Sequence, residues 1–423
     1  MKKKKISISA AMLISMVLGL VVGIIVGPSI AWIKPFGTIF VNLLKMCMVP
    51  VIFVSITLAI AQVADLKVFG RIGTKIFVWY CVTSGIAAVV GIFWVSVIKP
   101  GIGFTAATSG AVEKTIPSVV DSLVGIVPTN IIKTMADANL MSLIFFAIIF
   151  GVAISLTGEK KKPLVNLLDA TNAAILKMIN ICMNYAPIGV FALMANMAGT
   201  NGLDVILPLG KFLATEWITM FTQILLVYGV MLAVFGKINI FRFIKRMRAV
   251  LIMAFTSTSS AATVPLELEL CETHLGVPLS IGGFSLPLGS TVNQDGAALN
   301  IPICLLFTAQ IYGMHFTPIE LAQVVFLALI MSIGAAGIPA GASMFVLMIL
   351  GQFGLPTDAF GLILASYILI DVMLTTTNIC GDMVCTTCVC RMEGKLNTAV
   401  WDDPKYDAGA AYAEVKVAGS VAN

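Results

Sequence analysis

The sequence predicts an all-α integral membrane protein: eight transmembrane helices plus two re-entrant helical hairpins, in the arrangement of an elevator-type transporter with inverted repeats. Three observations carry the fold class. Of 423 residues, 59% are hydrophobic and 11% charged, against about 25% charged in a soluble domain. The bilayer must therefore be the solvent for most of the surface. The apolar residues fall in long segments, and about 20 such residues span a hydrocarbon layer. Two further apolar segments are broken near their centres by small and polar residues. The net charge of +5 forms no patch that nucleic acid would need, because the basic residues sit in short clusters between apolar segments.

The first segment follows Lys2–Lys5 and runs over about 7–32. A signal peptide has an apolar core of about 7–15 residues and a small-residue cleavage site. This run is longer and has no clear site, so it is read as a retained helix. Full spans follow at about 37–64, 74–98, 128–157, 164–198, 206–236, 276–312 and 357–390. The broken segments are 248–271, split at Thr256–Thr263 before Pro265, and 321–354, split at Gly334–Gly341 around Pro339. Backbone groups exposed at such breaks are tolerated at membrane depth only when buried in protein or lining a wet cavity. Paired interruptions therefore point to the binding site of a transporter, with both segments re-entering to mid-membrane. Two helices kinked at Pro265 and Pro339 are the other reading.

With the N-terminus inside and both hairpins returning to the side they left, most of the 26 Lys and Arg fall inside. They are Lys2–Lys5, Lys67, Arg71, Lys75, Lys160–Lys162, the Lys237–Arg248 group, and Arg391 onward. This places both termini in the cytoplasm of a cell (inner) membrane protein. From about Glu393 the composition becomes polar and small, and 393–423 is expected to be a poorly ordered tail. Of nine cysteines, Cys385 and Cys388 share a helix face and Cys390 does not, so packing is preferred over a metal site. No G-x-x-x-x-G-K-[ST] motif is present, so no nucleotide drives the cycle from this chain.

The chemistry lies in two polar islands. Asp371, Thr375, Asn378 and Asp382 stand at i, i+4, i+7 and i+11, which puts them within about 60° of one another on a helix. Acids in a membrane helix are costly and mark an ion or solute path. The second island is Asn293-Gln294-Asp295-Gly296, where glycine lets a helix unwind and turn carbonyls toward a cavity. Carboxylate, amide and carbonyl oxygens suit a small hard cation. The alternative is pairing of these acids with lysines deep in the spans, such as Lys45 or Lys177.

Several ordered motifs resemble one known family. They are VWYCVTS (Val78–Ser84), VPTN (Val127–Asn130), LIFFAIIFG (Leu143–Gly151), YAPIGVFAL (Tyr185–Leu193), AFTSTSSAATVP (Ala254–Pro265), SLPLGSTVNQDGAALN (Ser285–Asn300) and SIGAAGIPAGA (Ser332–Ala342), with the last helix. Together they are similar to the dicarboxylate/amino acid:cation symporters, the glutamate transporter and neutral amino acid exchanger family. The resemblance implies no enzyme and no cofactor beyond Na+ as coupling ion. It implies a homotrimer in the lipid bilayer, with 1–70 and 118–200 as scaffold and 71–100 with 205–392 as the mobile transport part.

Carried over residue by residue, the resemblance implies three sodium positions. One uses Gly289, Asn293, Asn378 and Asp382. A second uses Thr291 with the backbone at Ser332, Ile333 and Ala335. A third uses Tyr80, Thr83, Ser84, Asn293 and Asp295. It also implies that Asp371 holds a substrate ammonium and that Asn378, Thr258 and Ser260 face the α-carboxylate. Thr375, Ala297, Leu374, Ile338 and Ala342 line the same pocket. Acidic-substrate members carry arginine where Leu374 stands, and a threonine where Ala297 stands; Thr258 stands where some members carry another arginine. A second carboxylate would meet no cation there. The expected substrate is thus a small neutral amino acid such as serine, threonine or alanine, moved with sodium. The alternative is sodium- or proton-coupled uptake of an acidic amino acid, a C4-dicarboxylate or cystine. Gln294, where sodium-coupled members commonly have methionine, leaves ion identity and stoichiometry open.

Two other classes fit the sequence less well. An intramembrane aspartyl protease pairs Tyr-Asp with G-x-G-D, whereas the acids here follow Ile370, Gln294 and Gly381. A channel also uses re-entrant hairpins, but a site for both ammonium and carboxylate favours alternating access.

Overall fold

The structure is a computed structural model and describes residues 8–63, 66–103, 125, 127–334, 341–356 and 360–408. Among these residues every regular element is helical, as the composition requires, because an isolated strand cannot satisfy its backbone in lipid.

Helices α1 (Ile8–Val26) and α2 (Lys34–Val63) are joined by a 3-10 turn at Gly27–Ile33. The apolar stretch Ala10–Ala61 has 52 residues, about 78 Å at 1.5 Å each, far more than one crossing of about 30 Å. Helix α3 (Leu66–Ile98) bends at Gly70. The expected single span at 128–157 is two helices, α4 (Ile131–Ala136) and α5 (Leu140–Leu156). The break has a local cause: Asn139 caps α5 through its side chain. The span expected at 164–198 is likewise split into α6 (Lys161–Met183) and α7 (Ala186–Asn201), with Pro187 in the first turn of α7, a position that proline favours.

Helix α8 (Ile206–Gly236) contains two π turns, Gln223–Val227 and Leu232–Gly236. The first broken segment is a helical hairpin of α9 (Ile240–Ser257) and α10 (Ser260–Leu270). Its turn is Thr258 at φ +50°, a left-handed conformation that stops α9. The next span is broken into α11 (Leu279–Val292) and α12 (Asp295–Ile311) at Asn293-Gln294. The second broken segment gives α13 (Pro318–Ile333), opened by a Thr317/Glu320 capping box, and α14 (Gly341–Gln352). Its centre, 335–340, lies outside the described residues, and with it the expected contacts of Ala335 and Ile338. Helix α15 (Phe360–Met392) is unbroken, and the short α16 (Thr398–Asp402) follows it.

Five helical stretches among the described residues are long and apolar enough to cross a membrane. The expected count of eight came from apolar length in sequence. Local caps and the breaks at 137–139, 184–185 and 293–294 shorten the individual helices. The protein is a multi-pass membrane protein. Helix α1 packs on α7, and α2 on α5, α6 and α7. Helix α3 packs on α12 and α13, and α15 is surrounded by α3, α8, α9, α11 and α12. Ile14, Leu18, Val21 and Ile25 of α1 and Phe93 and Val97 of α3 are exposed, as suits a lipid-facing surface, while α15 is buried from Phe360 to Asp382 apart from half-buried Leu369 and Val372.

The tail differs from its expectation up to Ala408. Asn397 N–H donates to the Gly276 carbonyl at 2.8 Å. Arg246 of α9 is fully buried and donates to the carbonyls of His274, Val400, Trp401 and Asp403 at 2.8–3.1 Å. It also pairs with Asp407 at 2.7 Å and lies 4.5 Å from the Trp401 ring centroid. Composition alone does not reveal this strap, because a single arginine gathers acceptors from distant parts of the chain. Residues 409–423 lie outside the described residues.

Candidate functional site

The break between α11 and α12 meets the polar stripe of α15. All four stripe residues are buried: Asp371, Thr375, Asn378 and Asp382 are at most 4% exposed. The Asn378 carboxamide oxygen accepts from Gly296 N–H at 2.7 Å, so α15 caps the free N-terminus of α12. Its amide donates to Gln294 Oε1 at 2.6 Å. Asn293 donates to Asp382 Oδ1 at 2.8 Å and to the Asn378 carbonyl at 3.3 Å.

Asp295 sits in the first turn of α12, where the helix dipole favours an anion. Its Oδ1 accepts from Ser84 at 2.6 Å and Thr83 at 3.2 Å. Its Oδ2 accepts from Tyr228 at 2.6 Å and Gln223 at 3.4 Å. Thr83 also donates to Asn293 Oδ1 at 3.3 Å. Helix α3 therefore brings Thr83 and Ser84 to the break, and Tyr80, one turn earlier, donates to the Ser285 carbonyl at 3.0 Å. A Cβ on Gly289 would lie 2.5 Å from Asp382 Oδ1 and 2.8 Å from the Tyr80 hydroxyl. Only glycine leaves room there, so Gly289, Tyr80 and Asp382 converge.

Tyr80, Thr83, Ser84, Gly289, Asn293, Asp295, Asn378 and Asp382, far apart in the chain, thus form one buried node. Asp382 Oδ2 has no hydrogen-bond partner among the described residues. Lys45 and Lys177 are exposed, and no ion pair among the described residues joins either of them to Asp295 or Asp382. Two buried carboxylates, one with an open oxygen, amid amide and hydroxyl oxygens fit a small hard cation.

Other expected residues stand apart from the node. Thr291 is exposed and donates to the Leu288 carbonyl at 2.9 Å. Ser332 is buried and donates to the Leu329 carbonyl at 2.8 Å, while Ile333 is half-buried. Thr258 and Ser260 are buried at the first hairpin turn, and Ala297 and Ala342 are buried on α12 and α14. Leu374 is buried too, and its Cγ would lie 2.8 Å from a Cβ on Gly296. Sequence reasoning missed Gln223 and Tyr228, which hold Asp295 from α8. A signal was present: Glu216, Thr219 and Gln223 stand at i, i+3 and i+7 in an apolar helix, the pattern that marked α15.

Comparison with known proteins gives the family. The profile of the sodium:dicarboxylate symporter family matches residues 8–392. A proton/sodium-glutamate symport protein of Bacillus caldotenax is 30% identical over 379 residues, covering 87% of this chain and 89% of the relative. A proton/glutamate-aspartate symporter of Escherichia coli K12 is 29% identical over 378 residues, 86% of each chain. A C4-dicarboxylate transport protein of Rhizobium johnstonii is 31% identical over 377 residues, 87% of this chain and 84% of the relative. The chain belongs to the sodium:dicarboxylate symporter family.

Proposed function

We propose that this protein is a cation-coupled symporter of an amino acid, with the cation at the Asp295–Asn293–Asp382 node and the solute beside it at Asp371. The observation that carries the reading is the buried pair of acids whose open oxygen, Asp382 Oδ2, has no partner among the described residues. Sodium is the proposed coupling ion, on the oxygen-rich donor set. The relatives are named for protons as well as sodium.

The names of the relatives favour an acidic solute over the neutral one expected from Leu374. Asp371 adds a preference within that class. A buried carboxylate attracts an ammonium and repels a C4-dicarboxylate, so L-glutamate or L-aspartate fits better. One observation favours a second reading, a small neutral amino acid. Leu374 packs against Gly296 and offers no donor, so a second substrate carboxylate would meet no guanidinium at that position.

Transport by an elevator-like movement of 71–100 and 205–392 against 1–70 and 118–200, in a homotrimer with both termini cytoplasmic, completes the proposal. Its support is the family resemblance and the distribution of lysine and arginine. Uptake of radiolabelled L-aspartate, L-serine and succinate into proteoliposomes, under imposed sodium or proton gradients, tests it. Cation-driven uptake of an amino acid is expected. Uptake indifferent to both gradients would refute it.

A further inference from the structure

The break between α11 and α12 sets two helix ends near each other, one with carbonyls and one with N–H groups that have no partner in their own helix. Three hydrogen bonds join these ends. Gly296 N–H of α12 donates to Asn378 Oδ1 at 2.7 Å, the Asn378 amide donates to Gln294 Oε1 at 2.6 Å, and the Gln294 amide donates to the Ser290 carbonyl of α11 at 2.9 Å. Gln294, Asn378 and Ser290 are at most 5% exposed. The backbone of Gln294 serves the same two ends. Its N–H donates to the Val292 carbonyl at 3.1 Å, and its carbonyl accepts from Ala298 N–H at 2.9 Å.

The direction of this chain of bonds is fixed at both ends. A backbone N–H only donates and a carbonyl only accepts, so turning either side-chain amide over would set like groups against each other. All three bonds run the same way, from the first turn of α12 to the last turn of α11, and aligned bonds polarise and strengthen one another. Position 294 must therefore accept and donate at once. An ionised carboxylate there would accept only, and an apolar side chain would do neither. One consequence reaches the node. Asn378 Oδ1 is engaged by Gly296, so the oxygen that Asn378 can offer a cation is its main-chain carbonyl, which accepts from Asn293 at 3.3 Å.

We infer that Gln294 is a positioning residue of the transport site: it closes the break and fixes the Asn378 amide before any cation binds. The ends of the broken helix are joined by protein groups alone, so a cation that reaches Asn293, Asp295 and Asp382 meets oxygens already in place. Removing the Gln294 amide leaves the Ser290 carbonyl and the Asn378 amide each without a partner in a buried place. The cation must then order the break as it binds, and that ordering is taken out of its affinity. The solute, bound after the break is ordered, should be affected much less. This rests on the reading of Asn293, Asp295 and Asp382 as the cation site.

The test follows hydrogen–deuterium exchange over residues 289–300 of the purified full chain, without sodium and at saturating sodium. In the parent protein the N–H groups around Gly296 should be protected equally in both. In Gln294→Met, which keeps the length but neither amide group, protection should be lost without sodium and return with it. Equilibrium binding of labelled L-aspartate and L-serine supplies the second readout. The half-saturating sodium concentration should rise roughly tenfold in Gln294→Met, the worth of one to two buried hydrogen bonds, while solute affinity at saturating sodium stays near the parent value. Merely structural damage would lower both. Parent protection that appears only with sodium, protection without sodium unchanged in Gln294→Met, or solute affinity at saturating sodium falling as far as the sodium response overturns the inference. If Gln294→Met does not fold, the parent exchange decides. Protection lost in Gln294→Met and not restored by sodium upholds the closure by Gln294 and refutes the cation reading instead. If neither amino acid binds, the solute reading fails, and the exchange still decides the role of Gln294.

Discussion

Gly289→Ala is the smallest change that should disable the proposed cation site. The added Cβ would lie 2.5 Å from Asp382 Oδ1, about 0.9 Å inside the 3.4 Å at which ordinary van der Waals contact begins. Gly289 is in mid-helix on α11, and the Tyr80 hydroxyl, 2.8 Å away, blocks a second direction. The Asp382 carboxylate must therefore retreat by about 0.9 Å. Its bond from Asn293, now 2.8 Å, would then exceed hydrogen-bonding distance. A hydrogen bond to a charged group contributes about 1.5–3 kcal/mol, and each 1.4 kcal/mol is about tenfold in affinity. The half-saturating sodium concentration for uptake should rise by roughly 10- to 150-fold. Gly283→Ala on the same helix is the control, because its Cβ would meet its nearest neighbour, Leu279 Cδ1, at 3.9 Å. A Gly289→Ala protein with unchanged cation dependence would refute the assignment of Asp382 and Gly289 to the cation site.

Three further outcomes follow from the same geometry. Asp371→Asn removes the proposed counter-charge to the substrate ammonium; losing one partner of a buried charge pair costs about 2–5 kcal/mol, so amino acid affinity in equilibrium binding should fall at least about 25-fold. Leu374→Arg should raise the affinity for L-aspartate relative to L-serine by about tenfold or more, the worth of a charge-assisted bidentate contact, read from competition in proteoliposome uptake. The third concerns pH. Lys75, then Arg71, holds the Glu393 carboxyl below the usual carboxylate range, and Arg242 with Arg246 does the same for Asp407. A lowered folded-state value means that these ties act at every pH above the ordinary carboxylate range and are lost as pH falls through the folded-state values. Thermal stability in detergent should hold from neutrality down to about pH 5 and then decline, with a smaller decline in Glu393→Gln and Asp407→Asn.

What the sequence revealed, and what it hid, has a physical basis. The α15 stripe was legible because one unbroken helix carries all four residues, so 3.6-residue geometry applies without correction. The break at Asn293-Gln294 was legible because polar residues and glycine interrupt an apolar run. The first hairpin was legible for the same reason. Tyr228 was missed because a lone tyrosine in an apolar helix gives no sign of its partner; Gln223 stood in a polar stripe with Glu216 and Thr219, but nothing in that helix names Asp295 as its partner. Glu216 and Asn300 pair across 84 residues, a relation that neither helix shows alone. The strap around Arg246 was hidden because composition assigned the tail to solvent. Gln294 was noticed as unusual, yet its bond to the Asn378 amide required the fold. The preference for a neutral substrate rested on donors missing at Leu374 and Ala297 and an arginine missing at Thr258, and the relatives' names point the other way.

Sodium-gradient-driven uptake by the parent protein and by Asp382→Asn, measured side by side in proteoliposomes with labelled L-aspartate and L-serine, tests the central claim most directly. The parent protein should concentrate one of the two amino acids only while a cation gradient is imposed. Asp382→Asn should lose this concentrative uptake at physiological sodium. Accumulation that persists in Asp382→Asn with unaltered cation dependence would contradict it.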